Sequence, residues 1–266
     1  MIKFTKAHAY GNDFLYVEQN EVAEVTLASL AREICDRHTG VGADGLVVYG
    51  RTPQGATMRL FNADGGTAEV SGNGVRGLAA LLLLGHDTPH AVVTIDTEAG
   101  PKEVARLSRS NGRQTFRTAM GAPVDLRQVT VAAGGETVQA VVMNLGNPQC
   151  VVLGPLPRED RLRSLGRALE RHPMFPAGTN VEFALVEQPD TIRILIWERG
   201  VGPTTSSGSG SCAALVAAAT YGGAGRDATV VAPGGFQRVE WRDDGVYLTG
   251  WAEVVCEGQW LRDLPR

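Results

Sequence analysis

The sequence has few cysteines and no long apolar run, and each shortage excludes a class of protein. The four cysteines are Cys35, Cys150, Cys212 and Cys256. They are scattered without a Cys-x-x-Cys pair, which disfavours both a disulfide framework and a zinc site. Apolar stretches such as 78–84 and 212–219 are far shorter than the roughly 20 residues that a membrane-spanning helix needs. The N-terminus also lacks the apolar segment of a signal peptide. We therefore expect a cytoplasmic protein with reduced thiols and no metal.

The chain also lacks a strong excess of either charge. Its 25 Lys and Arg residues against 29 Asp and Glu give a net charge of −4, and no basic run is present. Nucleic-acid and membrane partners are therefore not expected, because both need a basic surface. No G-x-G-x-x-G motif lies between a strand and a helix, so no dinucleotide cofactor is expected. The length of 266 residues suits two modest domains or one large one, and a small molecule is the expected partner.

Glycine is abundant, with 33 residues, and it concentrates in segments that recur at a nearly fixed offset. The matching pairs are 11–13 with 146–148, 42–47 with 178–183, 61–64 with 197–200, and 71–74 with 207–210. Four matches in one order predict a duplication, with two similar domains related by a pseudo-twofold axis. The predicted domains are residues 1–116, joined by 256–266, and residues 117–255. The two glycine-rich segments are expected to face a common cleft.

Each glycine-rich segment is expected to lead into a buried helix. Runs rich in Ala, Leu and Val follow at 75–84 and 211–220, and β-prone runs precede both segments. This pattern predicts an α+β unit in each half. Ser71 and Ser207 occupy the N-cap positions of the two helices. The free N–H groups and partial positive charge of a helix start can hold a carboxylate or a phosphate. The alternative is that the serines only cap and the glycines only permit close packing.

The polar residues near these segments suit an amino-acid ligand. Arg199 can bind a carboxylate in bidentate fashion, and Glu198 can accept hydrogen bonds from an ammonium group. Asparagine side chains can also accept hydrogen bonds from an ammonium group, and the candidates are Asn12, Asn62, Asn147 and Asn180. A second interpretation stays open, in which the asparagines cap local turns and Glu198 and Arg199 form a solvated surface pair.

Six segments resemble the diaminopimelate epimerase family. They are HAYGNDF at 8–14, TGVGADGL at 39–46, FNADGGTAEVSGNGVR at 61–76, LGNPQCVV at 145–152, GTNVEF at 178–183 and ERGVGPTTSSGSGSCAA at 198–214. The resemblance implies an α+β fold of two pseudo-symmetric domains, each a bent sheet wrapped around a central helix, with the active site in the cleft between them. It implies interconversion of LL- and meso-2,6-diaminopimelate without a cofactor, in the synthesis of lysine and peptidoglycan precursors. It also suggests a homodimer.

The resemblance assigns roles to individual residues. Side chains that would contact the substrate are Asn12, Asn62, Asn147, Asn180, Glu198 and Arg199. Backbone amides for the carboxylate at the reacting carbon would come from Gly72, Asn73, Gly208 and Ser209. The proton-transfer positions, which hold two cysteines in the family, are Ser71 and Ser207 here, and Glu198 is the ionisable candidate beside Ser207. Gln149 stands where the family commonly has a histidine, and Gly77 where it often has another cysteine.

Serine at both proton-transfer positions changes the expected chemistry. A thiol has a reference pKa of about 8.5, whereas an alcohol is far less acidic and needs a neighbouring base. Three hypotheses stay open. The chain is an epimerase in which the serines work with Glu198 and another base. It is a relative that catalyses a different isomerisation or an elimination. It is a catalytically silent amino-acid-binding protein, or a chain in which both cysteines were replaced. The retained ligand-contacting residues favour the first hypothesis.

Overall fold

Residues 1–22, 26–88 and 90–262 are described by a computed structural model of the chain. The chain divides into unit 1, residues 1–118 and 251–266, and unit 2, residues 119–250. The sequence predicted these boundaries at 116/117 and 255/256, and the last four residues of the predicted 256–266 segment lie outside the described residues. Within the described ranges, no helix is long and apolar enough to cross a membrane.

The elements of the described residues follow in chain order. The helices are α1 (Leu27–Ile34), α2 (Gly72–Leu82), α3 (Glu159–Glu170) and α4 (Gly208–Tyr221), with a short 3-10 turn at Gln19–Glu21. The strands up to the unit boundary are β1 (Ile2–Ala9), β2 (Asn12–Glu18), β3 (Gly45–Thr52), β4 (Gly55–Asn62), β5 (Thr67–Ala68), β6 (Val92–Thr97), β7 (Gly100–Ser110) and β8 (Arg113–Gly121). The remaining strands are β9 (Val124–Ala133), β10 (Glu136–Asn144), β11 (Pro148–Leu153), β12 (Asn180–Gln188), β13 (Thr191–Glu198), β14 (Gly202–Thr204), β15 (Asp227–Ala232), β16 (Gly235–Arg242) and β17 (Gly245–Trp260).

Unit 1 wraps its strands around α2, whose residues from Gly72 to Ala80 are all buried. The helix packs against β1, β2, β4, β6 and β7. Strand β2 pairs in parallel with β3 across the crossover helix α1, and β4 pairs in parallel with β6 across α2. Because β2 is covered on both faces, it is apolar along most of its length. Phe14 and Tyr16 face α2, and Leu15 and Val17 face α1.

Unit 2 repeats this order of elements around α4. Every residue of α4 from Gly208 to Ala218 is buried, as expected for a helix that is apolar on all sides. Strand β11 pairs in parallel with β12 across α3, and β13 with β15 across α4. The α+β fold with two similar units is therefore confirmed. Each unit places a serine-capped helix start against the end of a parallel strand pair.

The strand register corrects one detail of the predicted repeat. Phe14 is opposite Gly45 in unit 1, and Gln149 is opposite Asn180 in unit 2. Strands β3 and β12 are therefore related by an offset of 135, the same offset that relates Asn12 to Asn147, rather than by the 136 expected from 42–47 and 178–183. The reason is that the chain between the positive-φ Gly42 and β3 is one residue longer than the chain between the positive-φ Gly178 and β12.

Candidate active site

Ser71 and Ser207 cap their helices with the same geometry. Each residue has an extended backbone, and each Oγ accepts a hydrogen bond from the N–H group three residues on, Gly74 or Gly210, at 3.1 Å. Ser207 is buried and Ser71 is half-buried. The amides at 72, 73, 208 and 209 belong to the first turn of a helix and so have no intrahelical acceptor. Each helix start can therefore offer N–H donors to a carboxylate.

In unit 1, the predicted residues Asn12 and Asn73 are joined through their side chains. The tight turn before Asn12 uses positive φ angles at Tyr10 and Gly11, and it starts β2 at Asn12. Asn73 Nδ2 donates to Asn12 Oδ1 at 3.1 Å, and Asn12 Nδ2 donates to Asp44 Oδ2 at 2.7 Å. The Asn12 amide is thus fixed with its oxygen toward α2.

Charged residues that the sequence analysis missed hold Asp44 in place. Arg37 Nη2 lies 2.8 Å from Asp44 Oδ1 and 2.7 Å from Asp13 Oδ1, and Lys6 Nζ lies 3.0 Å from Asp13 Oδ2. Burial raises the pKa of Asp13, but hydrogen bonds from Arg37 and Lys6 outweigh it and leave the pKa below its ordinary value. The signal was present in the sequence, because Asp13 and Asp44 lie inside the GNDF and GADGL segments.

Arg76 is a second residue that the sequence analysis passed over. It is fully buried on α2, donates through Nη2 to Asn73 Oδ1, and has its guanidinium 6.0 Å from the centroid of the Tyr10 ring. The Asn73 side chain is therefore held at both ends. The sequence predicted only a backbone contribution from Asn73, whereas its side chain also ties Asn12 to the helix start.

Asn62 ends β4 opposite Gly45, at the head of a turn. Its N–H donates to Gly66 O at 2.8 Å, and the next residue, Ala63, donates through its N–H to Asp44 O at 3.0 Å. The turn that carries Asn62 is thus attached to the same residue that holds the Asn12 amide. Four predicted residues of unit 1, at 12, 62, 71 and 73, are brought together in this way, with Gly72 between the last two.

In unit 2, Asn147 takes the place of Asn12 and Ser209 that of Asn73. Asn147 Nδ2 donates to Ser209 Oγ at 3.4 Å, and Gln149 Nε2 donates to Asn147 Oδ1 at 2.6 Å. All three side chains are buried. In this orientation the asparagine amide has its nitrogen, rather than its oxygen, toward the helix. Gln149 has a second orientation, in which its nitrogen donates to Glu182 and its oxygen accepts from Ser209 Oγ at 3.1 Å.

The predicted pair Glu198 and Arg199 lies at the end of β13 and is positioned through Asn180. Asn180 Oδ1 accepts from the Arg199 N–H at 3.0 Å, and its Nδ2 donates to Pro148 O at 3.4 Å. The buried Glu170, another residue missed in the sequence, accepts from Gly200 N–H at 2.9 Å. The Arg199 guanidinium donates to Ala177 O at 3.3 Å, and Glu198 is half-buried. Asn180 therefore joins this turn to the segment that carries Asn147.

Glu182 is the most unusual residue of unit 2, and the sequence analysis did not single it out. It is fully buried on β12, and burial, reinforced by the charge of Glu198, raises its pKa well above the ordinary value. A Cβ added to Gly210 would lie 3.0 Å from Glu182 Cδ and would overlap Oε1, so any larger residue there would displace the carboxyl group. A carboxyl group thus lies directly under the first turn of α4.

The buried cysteines do not replace the missing thiolates. Burial, with a contribution from Glu182, raises the pKa of Cys150 to about 12, so Cys150 stays a thiol near neutral pH. Cys212 is fully buried on α4. Among the described residues, no group of three or more His, Cys, Asp or Glu side chains is arranged to hold a metal ion.

Comparison with known proteins identifies a family for the chain. The family model described as diaminopimelate epimerase matches residues 4–124 and 141–255. A diaminopimelate epimerase from Desulforudis audaxviator is 38% identical, covering 98% of this chain and 100% of that protein. A diaminopimelate epimerase from Nostoc punctiforme is 37% identical, covering 97% of this chain and 99% of that protein. Among solved structures, a probable proline racemase from Agrobacterium radiobacter K84 has a TM-score of 0.77 at 19% identity, covering 99% of this chain and 94% of that one, which is a likeness of fold.

Proposed function

Because the chain belongs to the diaminopimelate epimerase family, we propose that it interconverts LL- and meso-2,6-diaminopimelate without a cofactor, in the synthesis of lysine and peptidoglycan precursors. The observation that carries this proposal is the same in both units. A helix start capped by a serine lies beside a buried amide, Asn12 in unit 1 and Asn147 in unit 2. Amide groups and helix N–H donors together suit the ammonium and carboxylate of an amino acid.

The binding roles in the proposal follow the chemistry of each group. The amides at 72, 73, 208 and 209 are the donors for the carboxylate at the reacting carbon. Asn12, Asn62, Asn147 and Asn180 contact the polar groups of the substrate, as do Glu198 and Arg199. Arg199 suits a carboxylate, because its planar guanidinium can donate two parallel hydrogen bonds.

Ser71 and Ser207 are the proposed proton-transfer groups, since they occupy the two positions where the family has cysteines. Each Oγ already accepts an N–H from its own helix, which helps to stabilise negative charge on the oxygen. That help does not suffice to ionise an alcohol near neutral pH, so a base must take the hydroxyl proton while that oxygen removes the α-proton. The hydroxyl of the other serine then returns a proton to the carbon from the opposite face. Glu198 is the proposed base for Ser207.

The decisive experiment is α-proton exchange. The protein at high concentration is incubated with LL-diaminopimelate in deuterated water, and proton NMR follows loss of the α-proton signal and appearance of the meso form. The double variant Ser71→Cys, Ser207→Cys should exchange at least about 100-fold faster, because a thiolate is the better base. The matched control is Ser164→Cys on the exposed side of α3, which should change nothing. No exchange by either the natural chain or the double variant would reject the proposal.

A second candidate is an amino-acid-binding protein without turnover. It is favoured by the cap geometry, because both serine oxygens are engaged with their own helices, and by Gln149, which cannot titrate where the family commonly has a histidine. Calorimetry separates the two functions. Binding of diaminopimelate without α-proton exchange identifies a binding protein, and binding with exchange identifies an isomerase.

The remaining expectations from the sequence belong to the proposal as well. We propose a homodimer in the cytoplasm whose partner is the small-molecule substrate, with no nucleic acid and no membrane. Sedimentation velocity at micromolar concentration tests the dimer, and a single monomeric species at all concentrations would refute it.

A further inference from the structure

The buried carboxyl of Glu182 has no role in the chemistry described above, yet it lies against the first turn of α4. Strand β12 carries it between β11 and β13, on the face toward α4. The charge of Glu198 on β13 adds to burial in raising the pKa of Glu182, and Glu182 in turn raises the pKa of the Cys150 thiol on β11. From α4 it meets Gly210, which has no side chain. Among the described residues, no cation is a named influence on its pKa, so an ionised Glu182 would be a buried charge beside a second carboxylate.

Each protonation state of Glu182 requires its own orientation of the neighbouring amides. The Gln149 amide oxygen lies 3.1 and 3.2 Å from the two Glu182 oxygens, while its Nε2 donates to Asn147 Oδ1. If Glu182 is ionised, the Gln149 oxygen faces only acceptors. In the reversed orientation the Gln149 nitrogen donates to the Glu182 oxygens, and the Gln149 oxygen accepts from Ser209 Oγ at 3.1 Å. The reversed oxygen also lies 2.6 Å from Asn147 Oδ1, so Asn147 must reverse too. A protonated Glu182 donates to the Gln149 oxygen, and neither amide has to move.

We propose that Glu182 is a positioning residue that donates a proton to the Gln149 amide oxygen and thereby sets which end of the Asn147 amide faces Ser209. With the proton in place, Gln149 donates to Asn147 Oδ1 and Asn147 presents Nδ2, a donor. Without it, both amides reverse and Asn147 presents Oδ1, an acceptor. A substrate group that needs a donor at this place is then met by an acceptor.

The described part of unit 1 has no buried carboxyl group in the equivalent position. The residue equivalent to Glu182 under the register of β3 and β12 is Val47, which is buried among apolar side chains. Asn12 is instead fixed by Asp44, which accepts from Nδ2 and turns the oxygen toward α2. The two units therefore present opposite ends of equivalent amides, and in unit 2 the choice depends on one proton.

The test uses Glu182→Gln, Glu182→Leu and the control Glu187→Gln, which lies on the same strand but is exposed. Infrared difference spectra between the natural chain and Glu182→Gln should show the carbonyl stretch of a protonated carboxylic acid near neutral pH. An ionised carboxylate band in its place would overturn the inference. This readout needs no ligand, so it decides the state of Glu182 even if diaminopimelate proves not to be the substrate.

The second readout is the affinity for diaminopimelate by calorimetry, and it rests on the proposed function. Glu182→Gln can still donate an N–H to the Gln149 oxygen, so its affinity should stay within about twofold, whereas Glu182→Leu should lose about tenfold. As the pH rises, binding by the natural chain should weaken through deprotonation of Glu182, and Glu182→Gln should lack that step. Equal losses in the Gln and Leu variants would refute the inference. Absence of binding by the natural chain and Glu187→Gln alike would refute the proposed substrate instead.

Discussion

Asn12 and Asn147 occupy equivalent places in two similar units, yet their surroundings differ in kind. Asn12 is fixed by Asp44, which is itself paired with Arg37 near the surface. Asn147 is fixed by Gln149, behind which lies the fully buried Glu182. The two units thus share the asparagine amide but differ in the residue that orients it. In both units, the residue that orients the amide lies one layer behind the asparagine proposed to contact the substrate.

The helices that start beside these amides, α2 and α4, also differ in the side chain that packs against each of them. In unit 1 the Tyr16 hydroxyl donates to Gly74 O and fills the space beside Gly77. In unit 2 the corresponding residues are Val151 and Ala213. A large polar side chain against a glycine has been exchanged for a small apolar one against an alanine, so each helix is tied to its sheet by a different contact.

The largest expected effect comes from Gly77→Ala, which gives α2 the residue that α4 has at the equivalent position, Ala213. The new Cβ would overlap the Tyr16 hydroxyl, so the free energy of unfolding should fall by about 2–3 kcal/mol. Chemical denaturation measures it. The double variant Tyr16→Val, Gly77→Ala installs the complete unit 2 pair and should lose less than the sum of the two single losses. Additive losses would mean that the two residues do not compete for one space.

A smaller effect is expected at the third residue of each helix, where both units have glycine for different reasons. A Cβ at Gly210 would overlap the Glu182 carboxyl, whereas one at Gly74 would lie 3.2 Å from the flexible end of Met58. Gly210→Ala should therefore cost about 1–3 kcal/mol of unfolding free energy, and Gly74→Ala less than about 1 kcal/mol. Thermal and chemical denaturation of the two variants side by side check the order, and a reversed order would contradict the contrast between the units.

The sequence predicts the parts of this arrangement that local chemistry decides. Serine followed by glycine-rich turns predicts where α2 and α4 begin, and the helix starts at Gly72 and Gly208 agree with the cap positions at Ser71 and Ser207. The duplication follows from repeated glycines, because a turn with positive φ needs glycine wherever it recurs. The resemblance to a family supplies the proposed contact residues, of which Asn12 and Asn73 prove to be joined directly.

What the sequence does not predict depends on packing between distant segments. Glu182 lies in an apolar strand, and only the packing of α4 on β12 reveals that its carboxyl is buried under a helix start. Arg76 looks like a surface residue of a helix until that helix is surrounded by strands on all sides. The one-residue difference between the loops before β3 and β12 is equally invisible, because glycines still match at 42 and 178.

The buried acid of unit 2 makes a pH-dependent prediction. Because the pKa of Glu182 is raised in the folded chain, the folded state keeps its proton above pH 4.5, where the unfolded state releases it. Stability is therefore lost as the pH rises, by up to about 1.4 kcal/mol per pH unit below the folded-state pKa. Glu182→Gln removes this loss, so its stability relative to the natural chain should increase with pH. Denaturation at a series of pH values measures the difference, and a constant difference would mean an ordinary pKa.

The ion-paired acid of unit 1 predicts a weaker dependence with the opposite sign. The folded-state pKa of Asp13 lies below its ordinary value of 3.8, since hydrogen bonds from Arg37 and Lys6 outweigh burial. Its contribution is therefore present above pH 3.8 and is lost as the pH falls through the folded-state pKa. Asp13→Asn should be about 1 kcal/mol less stable at neutral pH, with the gap closing in acid. Asp96→Asn, on the exposed side of β6, is the matched control. If the difference in stability between Asp13→Asn and the natural chain persists at low pH, the shape of the Asp13 side chain, and not its charge, stabilises unit 1.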